Sequence, residues 1–158
     1  MALALGLILF TRLIPHISNF TPIFAIGIFS VTIFKNKQIS LFLPLIGMFL
    51  SDIFIGFYST AWANYLALFF AIFFPISFSF NNRYFDLISK SIISPTIFFI
   101  LSNLVVFFAW YPNTFEGFIS CYVYAVPFYG ASLISTIAYS SVFSILTNRF
   151  SDKLELVK

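Results

Sequence analysis

The sequence predicts an all-α integral membrane protein, built as a bundle of six transmembrane helices. Of its 158 residues, 61% are hydrophobic and only 8% are charged, whereas an average soluble chain is roughly 25% charged. The mean hydropathy is +1.02, and the apolar residues fall into six runs separated by short polar gaps. Phe alone supplies 25 residues, more than the core of a water-soluble protein of this size could enclose. A soluble domain, a disordered chain and a disulfide scaffold are therefore excluded.

We expect a single transmembrane domain over residues 1–158. Its predicted spans are Ala2–Ile14, Pro22–Phe34, Ile39–Phe57, Trp62–Phe80, Ser91–Trp110 and Gly130–Thr147. A spanning helix needs about 20 apolar residues, so the first two runs are short and would require extension, tilt or shielding by neighbours. A further stretch, Phe115–Phe128, is broken by Gly117 and Pro127 and predicts a short re-entrant or interfacial helix between helices 5 and 6. Residues 148–158 predict a cytoplasmic tail.

The boundaries of these runs have local chemical causes. The first run lacks a basic leader and a cleavage site, so it predicts a membrane helix and not a signal peptide. Thr21 followed by Pro22 is a hydroxyl cap with proline at the first helical position, which favours a helix start. Residues 35–38 predict a tight polar turn and residues 81–90 a longer polar connection. Prolines inside the third and fourth runs predict kinks, because each removes a backbone hydrogen bond.

The basic residues predict the orientation of the bundle. With six spans and both termini on one side, that side holds Lys35, Lys37, Arg83, Lys90, Arg149, Lys153 and Lys158. The opposite side holds only Arg12. Because positive residues are retained in the cytoplasm, we expect a multi-pass protein with both termini cytoplasmic and outward connections at 15–21, 58–61 and 111–129. The net charge of +3 is thus a topology signal and does not indicate a nucleic-acid partner.

Most polar residues in or beside the spans lie toward the predicted outward half. An embedded charge such as Arg12 or Asp52 costs about 2.5–3.5 kcal/mol on insertion scales, so it is paired or functional. Two alternatives stay open: the two residues pair with each other for structure, or at least one of them faces a ligand. The asymmetry predicts a substrate pocket open to the outside, lined by Arg12, His16, Asn19, Asp52, Trp62, Asn64, Asn103, Trp110, Tyr111, Glu116 and Tyr124. Motion of residues 111–129 would gate this pocket.

Several of these residues also have a purely structural interpretation. His16 follows Pro15 and could stabilise its loop through a hydrogen bond. Asn103 could bond a neighbouring helix. Trp110 and Tyr111 stand at a helix end, where aromatic residues form the interfacial belt of membrane proteins.

The motifs of several enzyme classes are absent from the sequence. With six glycines and no Gly-x-x-x-x-Gly-Lys loop, the chain is not expected to hydrolyse ATP. One Cys and one His cannot form a usual zinc site, and no Gly-x-Ser-x-Gly elbow indicates a hydrolase. We therefore expect a protein without catalytic residues, metal or cofactor. A small intramembrane enzyme that uses Asp52 or Glu116 with His16 is the less favoured alternative.

The first run presents a face of small residues. Ala2 and Gly6 have the small-xxx-small spacing that permits close helix approach. This face could pack within the bundle, or it could dock a partner membrane protein. The second possibility includes a structural or assembly subunit of a larger membrane complex.

The segment RLIPHISNFTP from Arg12 to Pro22 resembles the opening signature of an uncharacterised family of small bacterial integral membrane proteins with an assigned role in transport. Further matches are LPLIGMFLSD (43–52), FFILSN (98–103) and YPNTFEG (111–117), so the resemblance covers about residues 11–146. That family in turn resembles the substrate-binding (S) components of energy-coupling factor (ECF) importers.

The resemblance implies a fold, a location and a function. The fold is a six-helix bundle in the bacterial cytoplasmic (inner) membrane, with both termini inside. The implied function is uptake of a vitamin-like micronutrient that is captured from the extracytoplasmic side. Small residues of the first helix would dock a transmembrane coupling subunit that two ATPases drive.

Overall fold

A computed structural model of the chain describes residues 1–15, 17–34 and 36–155, with side chains described except at 32–34 and 148–155. Within these ranges the secondary structure consists of helices without strands. The six helices are α1 (Ala2–Leu13), α2 (Ile23–Phe34), α3 (Lys37–Ile55), α4 (Ala61–Ser77), α5 (Arg83–Trp110) and α6 (Phe115–Glu155). The predicted all-helical class and the six helices are confirmed.

Three of the helices are long and apolar enough to cross a membrane, judged by length and composition. They cover Lys37–Ile55, Arg83–Trp110 and Phe115–Thr147. The other three are shorter: α1 and α2 have 12 residues each and α4 has 17. Twelve residues extend over about 18 Å at 1.5 Å per residue, which is less than the ~30 Å of a bilayer core.

The predicted short helix between helices 5 and 6 is wrong, because Phe115–Phe128 forms the first part of one 41-residue helix, α6. Proline removes a single backbone hydrogen bond, and the bonds around Pro127 continue the helix across it. The first part of α6 is also held against α5. The Tyr122 hydroxyl donates to the Ile100 carbonyl at 2.9 Å, and the Cys121 thiol lies 3.5 Å from the Asn103 carbonyl.

Two expected connections are shorter than predicted. The proposed outward loop at 111–129 reduces to residues 111–114, because α6 begins at Phe115. The polar connection at 81–90 is mostly helix, because Asn82 caps α5 by accepting hydrogen bonds from the amides of Tyr84 and Phe85 at 3.0 Å each. The capping strength of asparagine thus starts α5 at Arg83. Helix α6 continues to Glu155, so most of residues 148–158, which were predicted to be a cytoplasmic tail, is helical.

Helix α2 is the centre of the bundle. It packs against α3, α4, α5 and α6, and its residues 23–30 are buried without interruption. A helix that is apolar on all sides occurs inside a large protein or as a membrane span, so the almost purely hydrophobic sequence of α2 is compatible with this enclosed position.

Helix α1 lies beside α3, and the contact depends on a glycine. Ile8 is fully buried, and a Cβ added to Gly47 would lie 2.8 Å from its Cδ1 atom and 3.2 Å from its Cβ atom. The two helices run parallel, since Ile8 faces Gly47 while Arg12, one turn later, reaches Asp52. The close approach at Gly47 thus sets the position of Arg12.

The C-terminal half of α6 places hydroxyl groups inward and apolar side chains outward. On α6 the buried residues include the hydroxyl-bearing Ser132, Ser135, Thr136, Ser140 and Ser144, whereas the exposed ones include Ile134, Ile137, Val142, Ile145 and Leu146. Soluble helices place apolar side chains inward and polar ones outward. Over this stretch α6 shows the opposite arrangement.

We expect Gly47→Ala to destabilise the fold by about 1–3 kcal/mol, because the added methyl group overpacks the contact with Ile8. Gly6→Ala is the matched control on α1, where an added Cβ meets open space and removal of a helical glycine is favourable. Thermal unfolding in a mild detergent should show a lower Tm for the first variant only. Equal Tm values would contradict a close contact between α1 and α3.

Candidate functional site

A cavity of about 700 Å³ opens at one end of the bundle. The C-terminal parts of α1, α3 and α5 meet there with the N-terminal parts of α2, α4 and α6, and the 14–22 connection contributes part of the wall. Its polar lining residues are Arg12, Ser18, Asn19, Thr21, Tyr58, Asn64, Ser102, Asn103, Tyr129 and Ser132. The volume is in the range of pockets that hold small organic molecules.

A buried ion pair stands at the edge of this cavity. Arg12 Nη2 donates to Asp52 Oδ1 at 2.6 Å, and the Tyr65 hydroxyl donates to Asp52 Oδ2 at 2.6 Å. The Asp52 side chain is 1% exposed and Arg12 is 19% exposed. Both carboxylate oxygens are therefore engaged, and Asp52 lies behind Arg12, which lines the cavity.

Local structure places Asp52 at the end of α3. The helix ends at Ile55, and the Gly56 amide donates to the Asp52 carbonyl at 2.8 Å. Gly56 has φ +103°, a conformation that favours glycine. Since α4 begins at Ala61, the short hairpin brings Tyr65 back to the carboxylate.

Three asparagines contribute amide groups to the cavity wall, and each is positioned by a hydrogen bond. Asn64 Nδ2 donates to the Tyr58 hydroxyl at 2.5 Å, and Asn103 Nδ2 donates to the Phe99 carbonyl at 2.8 Å. Asn19 has φ +63°, a left-handed conformation that asparagine tolerates better than most residues. Its carbonyl lies 3.5 Å from the Ser132 hydroxyl, which ties the 14–22 connection to α6.

Aromatic rings form the apolar part of the wall. Phe24 and Phe98 meet edge to face with centroids 5.4 Å apart, and Phe99 and Tyr129 lie 4.8 Å apart. The Tyr129 hydroxyl is also 2.9 Å from Thr96 Oγ1. Amide and hydroxyl groups beside ring faces can bind a molecule that combines polar atoms with an apolar skeleton.

The structure separates the residues that the sequence analysis grouped together. Arg12, Asn19, Asn64 and Asn103 line the cavity, and Asp52 pairs with Arg12 from behind. Trp62, Trp110, Tyr111, Glu116 and Tyr124 are not among the lining residues. Trp62, Trp110 and Tyr124 are instead 60%, 66% and 69% exposed, because they lie on outward faces of their helices. His16 lies outside the described residues.

The sequence analysis missed several residues of the site. Tyr65 was overlooked because its contact with Asp52 depends on the α3–α4 hairpin. Tyr58, Tyr129 and Ser132 were overlooked because no charge marks them. A signal for Ser132 was present, since hydroxyl residues recur every fourth position at 132, 136, 140 and 144. Among the described residues, no group of three or more His, Cys, Asp or Glu could hold a metal ion.

We expect Arg12→Met to destabilise the protein by about 3–5 kcal/mol, because it leaves Asp52 as a buried charge without its cation. Adding Asp52→Asn should restore most of this loss, since a neutral amide carries no such penalty and still accepts from Tyr65. Thermal unfolding of the two single variants and the double variant measures the coupling. Strictly additive effects would show that the ion pair contributes nothing to the fold.

Neither the curated proteins nor the solved structures include a significant match to this chain. A family model, described as a family of unknown function, matches residues 1–154, which is nearly the whole chain. This is consistent with the expected uncharacterised family. The chain therefore belongs to DUF6580, a family of unknown function.

Proposed function

We propose that this chain is an integral membrane protein that binds a small organic solute in the cavity. The apolar outer faces of α3, α5 and α6 support the membrane location, because lipid is the surrounding that such faces require. The inward hydroxyl groups of α6 support it as well. Helices α1 and α2 are short, and thinning of the bilayer or flanking residues would compensate for their length.

The cavity is the observation that carries the binding function. It combines about 700 Å³ of space with one guanidinium, three amides, several hydroxyls and two pairs of aromatic rings. The charge of Arg12 is balanced by Asp52, so the wall as a whole is neutral. These features favour a neutral or weakly acidic solute of vitamin-like size, with polar atoms for the amides and a skeleton that packs against the rings.

We further propose that the protein is the solute-binding component of an uptake system, similar to an ECF S component of the bacterial inner membrane. The distribution of Lys and Arg supports an orientation with both termini in the cytoplasm and the cavity open to the outside. Ala2 and Gly6 are exposed on α1, which offers a close-packing face to a coupling subunit. The same face would serve a structural subunit of a larger complex, which is the competing function.

Mass spectrometry of small molecules released from the purified protein tests the binding function. We expect one dominant species that copurifies in a mild detergent. Asn103→Ala should reduce its amount at least about fivefold, because removal of a hydrogen-bonding partner costs about 1–3 kcal/mol. Asn113→Ala is the matched control, since Asn113 is exposed and does not line the cavity.

The competing functions predict different results in the same measurement. A structural subunit would release no small molecule and would copurify with a stoichiometric protein partner. Equal retention of the species by both asparagine variants would show that the cavity is not the binding site.

A further inference from the structure

Arg12 is the one charged side chain among the described residues that line the cavity. Its counterion, Asp52, is 1% exposed and is not part of the lining. The ion pair is therefore neutral as a whole but oriented, with its positive member at the cavity and its negative member behind. Such a pair attracts an anionic group in the cavity and repels a cationic one, because the nearer charge has the larger effect.

Most of the hydrogen-bonding capacity of Arg12 is unused. The guanidinium carries five N–H groups, and one of them, on Nη2, donates to Asp52 Oδ1 at 2.6 Å. Within the described part of the chain, Nε and Nη1 have no hydrogen-bond partner, and the unpartnered polar atoms that are buried are three serine hydroxyls elsewhere in the bundle. The free nitrogens of Arg12 are thus accessible. Since Arg12 lines the cavity, they can donate to a molecule inside it.

The geometry of the ion pair explains this unused capacity. Arginine and a carboxylate often form two parallel hydrogen bonds. Asp52 offers Arg12 only Oδ1, and its Oδ2 accepts from the Tyr65 hydroxyl at 2.6 Å. Arg12 is therefore fixed at one nitrogen and keeps donors for a second carboxylate. A side chain that is already held in place loses little conformational freedom on binding, which favours affinity.

The amide groups of the cavity wall also favour an acceptor. Asn64 and Asn103 each use one N–H group of the side-chain amide, toward the Tyr58 hydroxyl and the Phe99 carbonyl. Each amide nitrogen therefore keeps a second N–H group. No aspartate or glutamate is among the described lining residues, so none of them offers a carboxylate to a positively charged amine.

We propose that the solute carries a carboxylate that binds Arg12, on a skeleton that packs against the aromatic rings of the wall. This inference rests on the proposed function and narrows it, since it selects the acidic members of the proposed solute class. The carboxylate accepts from the N–H groups that Asp52 leaves free. Arg12 thus stands between two carboxylates, one that belongs to the fold and one that belongs to the solute.

Three aromatic probes of similar shape test this inference on the unmodified protein. Naphthoate carries a carboxylate, naphthamide a neutral amide and naphthylmethylamine a cation. The purified full chain is dialysed in a mild detergent to release bound small molecules, and isothermal titration calorimetry at neutral pH measures the three dissociation constants. We expect naphthoate to bind about tenfold more tightly than naphthamide, because hydrogen bonds between ionised groups are the stronger ones. The amine should bind most weakly.

A neutral version of the ion pair locates the carboxylate. Arg12→Gln combined with Asp52→Asn removes both charges together, so no unpaired charge is buried, and the Tyr65 hydroxyl keeps an acceptor. Asp86→Asn combined with Lys90→Gln is the matched control, because it neutralises an ion pair of 2.8 Å that does not line the cavity. Naphthoate should lose its advantage over naphthamide in the first double variant and keep it in the second.

The other outcomes separate this inference from the proposed function. Equal binding of the probes to the unmodified protein, or tighter binding of the amide or the amine, would overturn the carboxylate and leave binding in the cavity intact. A preference for naphthoate that persists without the Arg12–Asp52 pair would overturn the role of Arg12. If none of the probes binds, the inference fails, and the copurified species decides the proposed function separately. Should the first double variant not fold, the comparison on the unmodified protein still decides.

Discussion

The ion pair between Arg12 and Asp52 is the interaction around which the candidate site is organised. A carboxylate that is 1% exposed must be neutralised where it stands, and Asp52 accepts from both Arg12 and Tyr65. These two bonds join three helices at one end of the bundle: α1, α3 and α4. They also fix the position of Arg12, which lines the cavity, so the same contact stabilises the fold and shapes the candidate site.

The structure shows that Arg12 and Asp52 pair with each other, and contact of either residue with a ligand stays a prediction. The carboxylate of Asp52 serves the structure, since it is saturated and lies behind the wall. The guanidinium of Arg12 has further donor capacity because it carries five N–H groups, and it lines the cavity. Under the proposed function, Asp52 is a positioning residue and Arg12 is the member of the pair that would contact a solute.

The interior of the bundle is polar along α6 as well as at the ion pair. Several apolar side chains on α6 are exposed, whereas Ser132, Ser135, Thr136, Ser140 and Ser144 are buried. Small hydroxyl residues permit close helix packing and still present polar atoms. The unbroken helix α6 reaches from Ser132, which lines the cavity, to Ser144, which lies near Arg83 at the start of α5.

Composition and hydrophobic patterning determined the helical class, the six helices and the approximate position of most boundaries, since these depend on neighbours along the chain. Two predicted boundaries were wrong. Proline was taken to end a helix at Pro127, where α6 continues. The Asn82 cap starts α5 at Arg83, before the apolar run begins. The tertiary structure alone decided which polar residues share the cavity. Trp110 and Asn103 lie on one helix, yet only Asn103 faces inward, because the rotation of a helix is set by its packing partners. For the same reason Tyr65 reaches Asp52 only after the α3–α4 hairpin has formed.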